Sequence, residues 1–389
     1  MLYLAVLFAL CILALMIDSG MTKVGVIDSN KDQRILDTVL VGLLILCAGL
    51  RNTGGTDFQV YARIYAVVPT LGEFIENFDV IYDKYYVYGA DKGYLIINSI
   101  FKTLGFTYYG YNFMHSLLTI SAIYLFTRRF TNNFAMVVMV MMYKMFFYDF
   151  FVSLRQTITI AIFMGMLADI EKKHWVRYYI MCCVCYYIHA AASVLFLVYF
   201  VRYIKLSKGA LLLLNAIFLP TLVLSALNVP VLSIFDYVLD WNVFSSDQIA
   251  NKASNLLSGT SENGINWLHT IEYFGIMFVM TWFYDDIAEE FPNSEMMIKM
   301  FICLLPIFTL FRNYEILTRW KDYFTISYGF IFAYLSGIRE KKYQSLIMVV
   351  LVLWCGFGYL RYITLFDKGL LKYYIPVYRY GVPFFTQYN

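Results

Sequence analysis

Four arginines stand out because each lies in a short polar turn beside a long apolar run. They are Arg51, Arg155, Arg312 and Arg319. The planar guanidinium group of arginine can bind two phosphate oxygens at once. Arg155 would also open a helix, where the helix dipole disfavours a cation, so an anionic partner is expected there. The sequence predicts a phosphate or pyrophosphate site, although each arginine could instead contact lipid headgroups, and Arg319 could pair with Asp322.

The first arginine is followed by Gly54-Gly55, Thr56 and Asp57, and then by Tyr61. The two glycines predict a tight turn whose backbone can approach a ligand. Thr56 or Asp57 is expected to start a short helix that carries Asp57 and Tyr61 on one face. Asp57 is the first candidate for the base that takes a proton from a hydroxyl group. Arg51, Thr56 and Tyr61 are predicted to bind substrate, unless Thr56 and Asp57 only cap the helix.

A second candidate base is His189, which small residues follow up to Ser193. Small residues allow helices to approach closely, but a lone histidine can also be a purely structural residue. Gln156, Arg312 and Tyr323 lie beside the arginines or in the same turn and are further predicted substrate-binding residues. The cysteines lack partners at the spacing of a zinc site. We therefore predict no metal and no cofactor.

Composition indicates a membrane protein. The chain has 389 residues, of which 61% are hydrophobic and 15% are charged, whereas soluble domains carry about 25% charged residues. Its net charge of +3 gives no sign of nucleic-acid binding. A spanning helix needs about 20 mostly apolar residues. The candidate runs are 1–17, 35–50, 109–127, 134–151, 155–170, 210–227, 267–284, 297–311, 320–337 and 344–361.

Basic residues in short loops are expected on the cytoplasmic side. The clusters are Lys23/Lys31/Arg34, Arg128/Arg129, Lys172/Lys173/Arg177, Arg202/Lys205/Lys208 and Arg339/Lys341/Lys342. All five fall inside only if the apolar run 175–203 is a hairpin that bends near His189. Each arm would be about 20 Å long, which is too short to cross a membrane. We predict two half-helices that meet near the outer face; the alternative is one long tilted helix.

The predicted fold class is therefore all-α: a polytopic integral membrane protein with about 10–12 transmembrane helices, including the hairpin. We treat 1–389 as one domain, with the first run retained because it lacks a signal-peptide cleavage site. Segments 51–108 and 228–266 lie outside, and 69–80 is predicted to be a short amphipathic helix on the membrane. The residues that then come to the outer side are Arg51, Asp57, Arg155, His189, Arg312 and Arg319.

The ordered set of motifs resembles the EpsG family of Wzy-type polysaccharide polymerases. The set is Arg51…Gly55-Thr56-Asp57…Tyr61, Lys92-Gly93-Tyr94…Asn98, Leu154-Arg155-Gln156, Glu171-Lys172-Lys173, Tyr187-Ile188-His189-Ala190-Ala191, Arg319…Tyr323-Phe324 and the run Tyr373 to Tyr378. One departure is Lys92, where the family pattern has an acidic residue before the glycine. Asp91 is the acidic residue that could substitute.

The resemblance implies a multi-pass enzyme of the bacterial cytoplasmic membrane, similar to metal-independent glycosyltransferases of the GT-C type. Its donor and acceptor would be undecaprenyl-pyrophosphate-linked oligosaccharides, joined into a capsule, exopolysaccharide or O-antigen. Arg155 and Arg319 would stabilise the leaving pyrophosphate. Membrane lipids, a flippase and a chain-length regulator are the expected partners.

Proteins of other classes share some of these features. A glycan ligase, which moves finished glycan to a different acceptor, would need nearly the same residues. A lipid-linked oligosaccharide flippase would need cations accessible from both faces, whereas the predicted charges lie on one face. A membrane acyltransferase could use His189 but would leave the arginines unexplained.

Overall fold

The computed structural model is built from helices joined by turns, in agreement with the predicted all-α class. The structure describes residues 8–13, 15, 29–77, 80, 91–226, 266–312, 319–338, 341–365 and 383–385. The predicted outer segment 228–266, apart from Asn266, and the motif Tyr373 to Tyr378 lie outside the described residues. The chain folds into two compact units, Met1–Tyr199 with Leu346–Asn389 and Phe200–Ser345. The prediction of one domain stays a prediction.

Eight helices of the first unit position the candidate site. They are α1 (Ser29–Gly49), α2 (Phe58–Val67), α3 (Leu71–Glu76), α4 (Lys92–Thr103), α5 (Tyr108–Phe130), α6 (Phe134–Lys144), α7 (Leu154–Glu171) and α8 (Trp175–Ile188). Side-chain caps occur at the starts of α5 and α6: the Thr107 hydroxyl accepts from the Gly110 amide, and the Asn133 side chain accepts from the Met136 amide. Such caps satisfy amides that have no partner within the helix.

Helices α1, α5, α7 and α8 pack side by side in that order. A Cβ atom at Gly49 would lie 3.1 Å from the α-carbon of Phe113, so the end of α1 approaches the α5 backbone closely. The Asn112 amide group of α5 donates to the carbonyls of Ala48 and Gly49 at 3.1 Å. These bonds satisfy the last carbonyls of α1. The contacts with α5 therefore hold the end of α1, from which the turn that carries Arg51 begins.

The segment 51–108 contains α2, α3 and α4, which pack around a buried aromatic core. The core includes Phe58, Tyr61, Tyr65, Phe74, Tyr94, Tyr108 and Tyr111. The helix predicted at about 69–80 is present as Leu71–Glu76 and starts with a capping box between Thr70 and Glu73. The Lys102 ammonium donates to the carbonyls of Ala66 and Val68 at 2.8 and 2.6 Å, which closes the end of α2. Helix α4 was not expected from the sequence.

The chain reverses direction at His189. Its backbone is extended, with φ −155° and ψ 118°, and short helical turns follow it. The Tyr178 hydroxyl donates to the Leu195 carbonyl at 2.7 Å, and the Tyr178 ring centroid lies 5.3 Å from that of Tyr199. In one straight helix, residues 178 and 199 would be about 30 Å apart. The reversal of the predicted hairpin is confirmed, and the alternative of one long helix is wrong; the position of the bend near the outer face stays a prediction.

Ion pairs mark one end of the first unit. Arg128 lies 3.1 Å from Asp37, and Arg129 pairs with Glu171 at the last residue of α7. Arg155 lies at the opposite end of α7, a helix of 18 residues and therefore about 27 Å long. The basic cluster at the end of α5 and the arginine turn of the candidate site thus lie at opposite ends of this unit, as the predicted topology requires.

The second unit is also helical. Its helices are α9 (Lys208–Ala226), α10 (Trp267–Trp282), α11 (Tyr284–Glu290), α12 (Ser294–Ile302), α13 (Leu304–Thr309), α14 (Lys321–Thr325) and α15 (Ser327–Ser336). The Tyr273 ring stacks on Phe308 with centroids 4.8 Å apart and contacts Phe301 at 4.9 Å. The predicted spans 297–311 and 320–337 are each divided into two short helices.

Helix α16 (Lys341–Leu365) contains a segment that is long and apolar enough to cross a membrane. This segment, Gln344–Arg361, is the one that meets both conditions among the described residues. Shorter apolar helices occur at Phe134–Lys144, Ala190–Tyr203 and Lys208–Leu224. The predicted span 134–151 is interrupted, since α6 ends at Lys144 and a π-helical turn follows at Tyr148–Val152. The number of crossings stays a prediction.

Cysteine labelling tests which side of a membrane each end of α8 faces. In a cysteine-free background, needed because Cys183 is exposed, we expect Ala190→Cys to react with an impermeant maleimide in intact cells. Lys172→Cys should react only after permeabilisation, because it belongs to the cluster predicted to be cytoplasmic. Both native residues are exposed. Equal labelling of the two positions in intact cells would contradict the predicted topology.

Candidate functional site

Arg155 and His189 meet at one carboxylate, that of Asp91. Asp91 Oδ2 lies 2.9 Å from Arg155 Nη1 and 3.4 Å from His189 Nδ1. The side chains of Asp91 and Arg155 are 25% and 20% exposed, and that of His189 is 8% exposed. Three distant stretches of chain therefore form one polar site that a ligand can reach.

The local sequence around Asp91 explains how it reaches the site. Asp91 occupies the position before α4, but its side chain does not cap the helix amides. At Gly93, a Cβ atom would lie 2.8 Å from the carbonyl of Tyr187 and 2.9 Å from the amide nitrogen of Ile188. Because a real side chain does not approach backbone atoms so closely, glycine is required for α4 to approach the end of α8. This close approach brings Asp91 to His189.

The turn that carries Arg155 is fixed by buried contacts. The π-helical turn Tyr148–Val152 precedes α7, and such turns are frequent at functional sites. His115 Nε2 lies 3.0 Å from the Leu154 carbonyl, which ties α5 to the first residue of α7. The Ser153 hydroxyl donates to Gln156 Oε1 at 3.2 Å. Gln156, a predicted substrate-binding residue, is fully buried.

Tyr61 lies beside Arg155. The Arg155 guanidinium carbon is 5.9 Å from the Tyr61 ring centroid, and the Tyr61 and Tyr94 rings are 5.4 Å apart. Burial raises the pKa of Tyr61, and a hydrogen bond and the positive charge of Arg155 partly offset the rise. Burial raises the pKa of Tyr94 well above its ordinary value. Both hydroxyl groups are therefore neutral near pH 7.

Arg51 has a different environment. It is 1% exposed, and its guanidinium carbon lies 4.4 Å from the Phe151 ring centroid and 5.6 Å from that of Phe58. It also donates to the Phe150 carbonyl. The predicted glycine turn is present, with φ +92° at Gly55, but a Cβ there would lie 2.0 Å from the Phe151 carbonyl oxygen. At Gly55 the turn therefore packs on protein backbone, and its approach to a ligand stays a prediction.

Asp57 starts α2, as expected. Its side chain makes no capping hydrogen bond, so the alternative that it serves only as a cap is not supported. The exposed Thr56 donates from its hydroxyl to Asp57 Oδ1 at 3.2 Å. The Asp57 charge contributes to the raised pKa of Tyr61. Asp57 therefore lies at the same end of the unit as Arg155, and its role as a base stays a prediction.

The remaining candidates belong to the second unit. The Arg312 guanidinium carbon lies 3.5 Å from the Trp267 ring centroid, and the Arg312 side chain is largely buried. Arg319 is exposed, and Tyr323 is fully buried in α14. Asp322 Oδ1 lies 3.6 Å from the Lys321 ammonium. That Arg312 and Arg319 meet Arg155 at one site stays a prediction.

Metal ligands were not expected from the sequence. Within the described part of the chain, no group of three or more His, Cys, Asp or Glu side chains could hold a metal ion. The polar groups of the candidate site are instead one carboxylate, one guanidinium, one imidazole and a tyrosine hydroxyl. This set suits the binding of an anion and the transfer of a proton.

A model of one protein family matches residues 34–378, which include the candidate residues of both units. The chain belongs to the EpsG family. This is the family of Wzy-type polysaccharide polymerases, so the resemblance inferred from the motifs is confirmed. Membership indicates a membrane-associated protein with a polysaccharide polymerase-like function of the glycosyltransferase kind. Searches of curated proteins and of solved structures find no match.

Asp91 was not among the predicted site residues, although the sequence offered it as a substitute for the acidic residue of the family pattern. The EpsG pattern led us to expect an acidic residue at position 92, where this chain has lysine. The only signal for Asp91 was that it lies one residue before position 92, and two residues before Gly93. A residue at the start of a helix can reach away from that helix, so a shift of one position leaves the carboxylate within reach of Arg155.

Gly93→Ala tests the close approach of α4 and α8. The new methyl group would force apart two backbones, at a cost of about 1–3 kcal/mol, and would move Asp91 away from His189. We expect a lower thermal unfolding midpoint and shorter glycan products in cells. Gly72→Ala is the matched control, because nothing lies within 4 Å of a Cβ atom at Gly72. Normal stability and normal product length for Gly93→Ala would contradict the proposed packing role.

Proposed function

We propose that this EpsG-family protein joins undecaprenyl-pyrophosphate-linked oligosaccharide repeat units into a polysaccharide at the outer face of the bacterial cytoplasmic membrane. The observation that supports this is that Asp91 contacts both Arg155 and His189, while Tyr61 lies beside Arg155. It lies at the end of the first unit opposite the pairs formed by Arg128 and Arg129. Since basic clusters are retained on the cytoplasmic side, the site would face outwards.

Exposed apolar side chains support a multi-pass protein. They recur along helices whose other faces are buried, in a pattern that lipid would cover and water would not favour. They include Ile35, Val39 and Leu46 on α1, Leu118 and Leu125 on α5, and Ile180 and Val184 on α8. Together with the apolar segment of α16, these faces favour several membrane-embedded helices.

The reaction moves an anomeric carbon from pyrophosphate to an acceptor hydroxyl. The bond between this carbon and the pyrophosphate oxygen breaks, and its electron pair leaves with the pyrophosphate. Arg155 and Arg319 would stabilise the charge that develops there, so that no metal is required. Asp57 or His189 would take the proton of the acceptor hydroxyl as the new bond forms.

The other candidates differ in how close they lie to the proposed substrate. Thr56 is exposed, and Tyr61, although buried, lies beside Arg155, so we expect both to contact the substrate. Arg51 and Gln156 are buried, and we expect them to maintain the shape of the site. Substrate binding by Arg312 and Tyr323 remains part of the proposal for the second unit.

The decisive experiment incubates the purified protein with one synthetic undecaprenyl-pyrophosphate-linked repeat unit. A polymerase gives a ladder of products that differ by one repeat unit. A single addition to a foreign acceptor would indicate a glycan ligase instead. Absence of any glycan product would contradict both activities and would favour a transporter.

Arg155→Ala and Arg319→Ala test the role of the guanidinium groups. Removing one group that stabilises a developing negative charge typically lowers turnover about 10²–10³-fold. We therefore expect both variants to lose long glycan in cells while protein levels stay normal. Arg63→Ala is the control, because Arg63 is an exposed arginine on α2 outside the candidate site. Full-length polymer in both test variants would reject the assignment.

A further inference from the structure

The guanidinium assigned to the leaving pyrophosphate is already paired with a carboxylate of the protein. Asp91 Oδ2 contacts Arg155 Nη1 at 2.9 Å and also His189 Nδ1 at 3.4 Å. The Asp91 and Arg155 side chains are both partly exposed. An incoming anion can therefore reach this pair without disrupting the core.

Charge and geometry indicate which anion Arg155 would bind more strongly. A pyrophosphate diester carries more negative charge than a single carboxylate, and its oxygens can accept two parallel hydrogen bonds from one guanidinium. The contact with Asp91 uses one nitrogen, Nη1. We propose that Asp91 is the resting counter-ion of Arg155 and that the pyrophosphate of the substrate displaces it. This inference rests on the proposed function.

Displacement would leave Asp91 beside His189. With Nδ1 donating to Asp91, the other nitrogen of the neutral ring, Nε2, carries the lone pair that accepts a proton. The proton of the acceptor hydroxyl passes to Nε2 as its oxygen bonds to the anomeric carbon, and the pyrophosphate departs with the electron pair of the broken bond. Asp91 is then a positioning residue for His189. Pyrophosphate binding and orientation of the base are coupled through this one carboxylate.

The position of Asp91 in the chain supports its contacts with Arg155 and His189. As the residue before α4, it could have accepted from the first amides of that helix, which is a common arrangement for aspartate. Its side chain makes no such bond, and the glycine two residues later permits the close approach to α8. The tertiary contact at Gly93, rather than a local capping preference, therefore places this carboxylate beside Arg155 and His189.

A binding experiment tests the counter-ion role. The purified full-length protein in lipid nanodiscs is titrated with undecaprenyl pyrophosphate, the lipid product, for the wild type and for Asp91→Asn. If the Asp91–Arg155 pair is closed about nine-tenths of the time, removing the competing carboxylate should tighten binding about tenfold. Equal or weaker binding by the folded variant overturns the proposal. Asp91→Ser provides a second neutral variant if Asp91→Asn does not fold.

Glu171→Gln is the matched control. Glu171 is also paired with an arginine, Arg129, and its side chain is 32% exposed, but it lies at the opposite end of the unit. We expect the affinity of this variant for undecaprenyl pyrophosphate to equal that of the wild type. An increase of similar size for Glu171→Gln would show a general effect of net charge and would overturn the proposal.

Kinetic measurements distinguish a positioning role of Asp91 from a general loss of folded enzyme. We expect Asp91→Asn to lower KM for the lipid-linked repeat unit and to lower kcat about 10²–10⁴-fold, because His189 loses the group that orients it. Asp91→Glu should restore part of kcat. A lower KM with unchanged kcat overturns the positioning of His189.

If the wild type makes no polymer, the proposed function fails, whereas tighter lipid binding by Asp91→Asn would still support the role of Asp91 as the counter-ion of Arg155.

Discussion

Compensation of the Arg155 charge is the constraint on which the site depends. Insertion scales put the cost of an arginine at roughly 2.5–3.5 kcal/mol at the centre of a membrane helix and lower near the interface. At the start of α7 the helix dipole also opposes a cation. Asp91 supplies the compensating charge at 2.9 Å. It can do so because Gly93 lets α4 approach the end of α8, and because the chain reverses at His189. The ion pair between Asp91 and Arg155 thus links the start of α7, the start of α4 and the hairpin at His189.

Buried polar side chains on the long helices also contact polar partners. Helix α5 has 23 residues and is about 35 Å long, enough to cross a bilayer. It nevertheless carries buried polar side chains, among them Asn112, which bonds to the end of α1, and His115, which contacts the Leu154 carbonyl. These residues lower the mean hydropathy of α5, although Leu118 and Leu125 keep its exposed face apolar. A helix of this kind can therefore have an apolar exposed face although its mean hydropathy is low.

Sequence reasoning succeeded where a rule of charge or of local conformation was sufficient. The hairpin at His189 followed from keeping every basic cluster on one side. Helix-capping preferences predicted that α2 starts at Thr56 or Asp57, and it starts after Asp57, although the Asp57 side chain makes no capping bond. It failed where the answer depended on tertiary neighbours. The freedom of Gly55 predicted a turn but not that the turn would pack against Phe151. Likewise, nothing local determines whether Asp91 caps α4 or reaches Arg155.

Arg51 and Arg155 show why residue type alone does not identify a ligand-binding cation. Both follow or open a helix, and both were expected to bind substrate. Arg51 is 1% exposed and lies against two aromatic rings and a backbone carbonyl. An anion could reach it only by separating packed rings, which would forfeit their burial as well as the cation–π contacts. Arg155 is held by a carboxylate that is itself partly exposed. Under the proposed displacement, exchanging one anion for another would leave the core intact, so Arg155 is better placed than Arg51 to bind an anionic substrate.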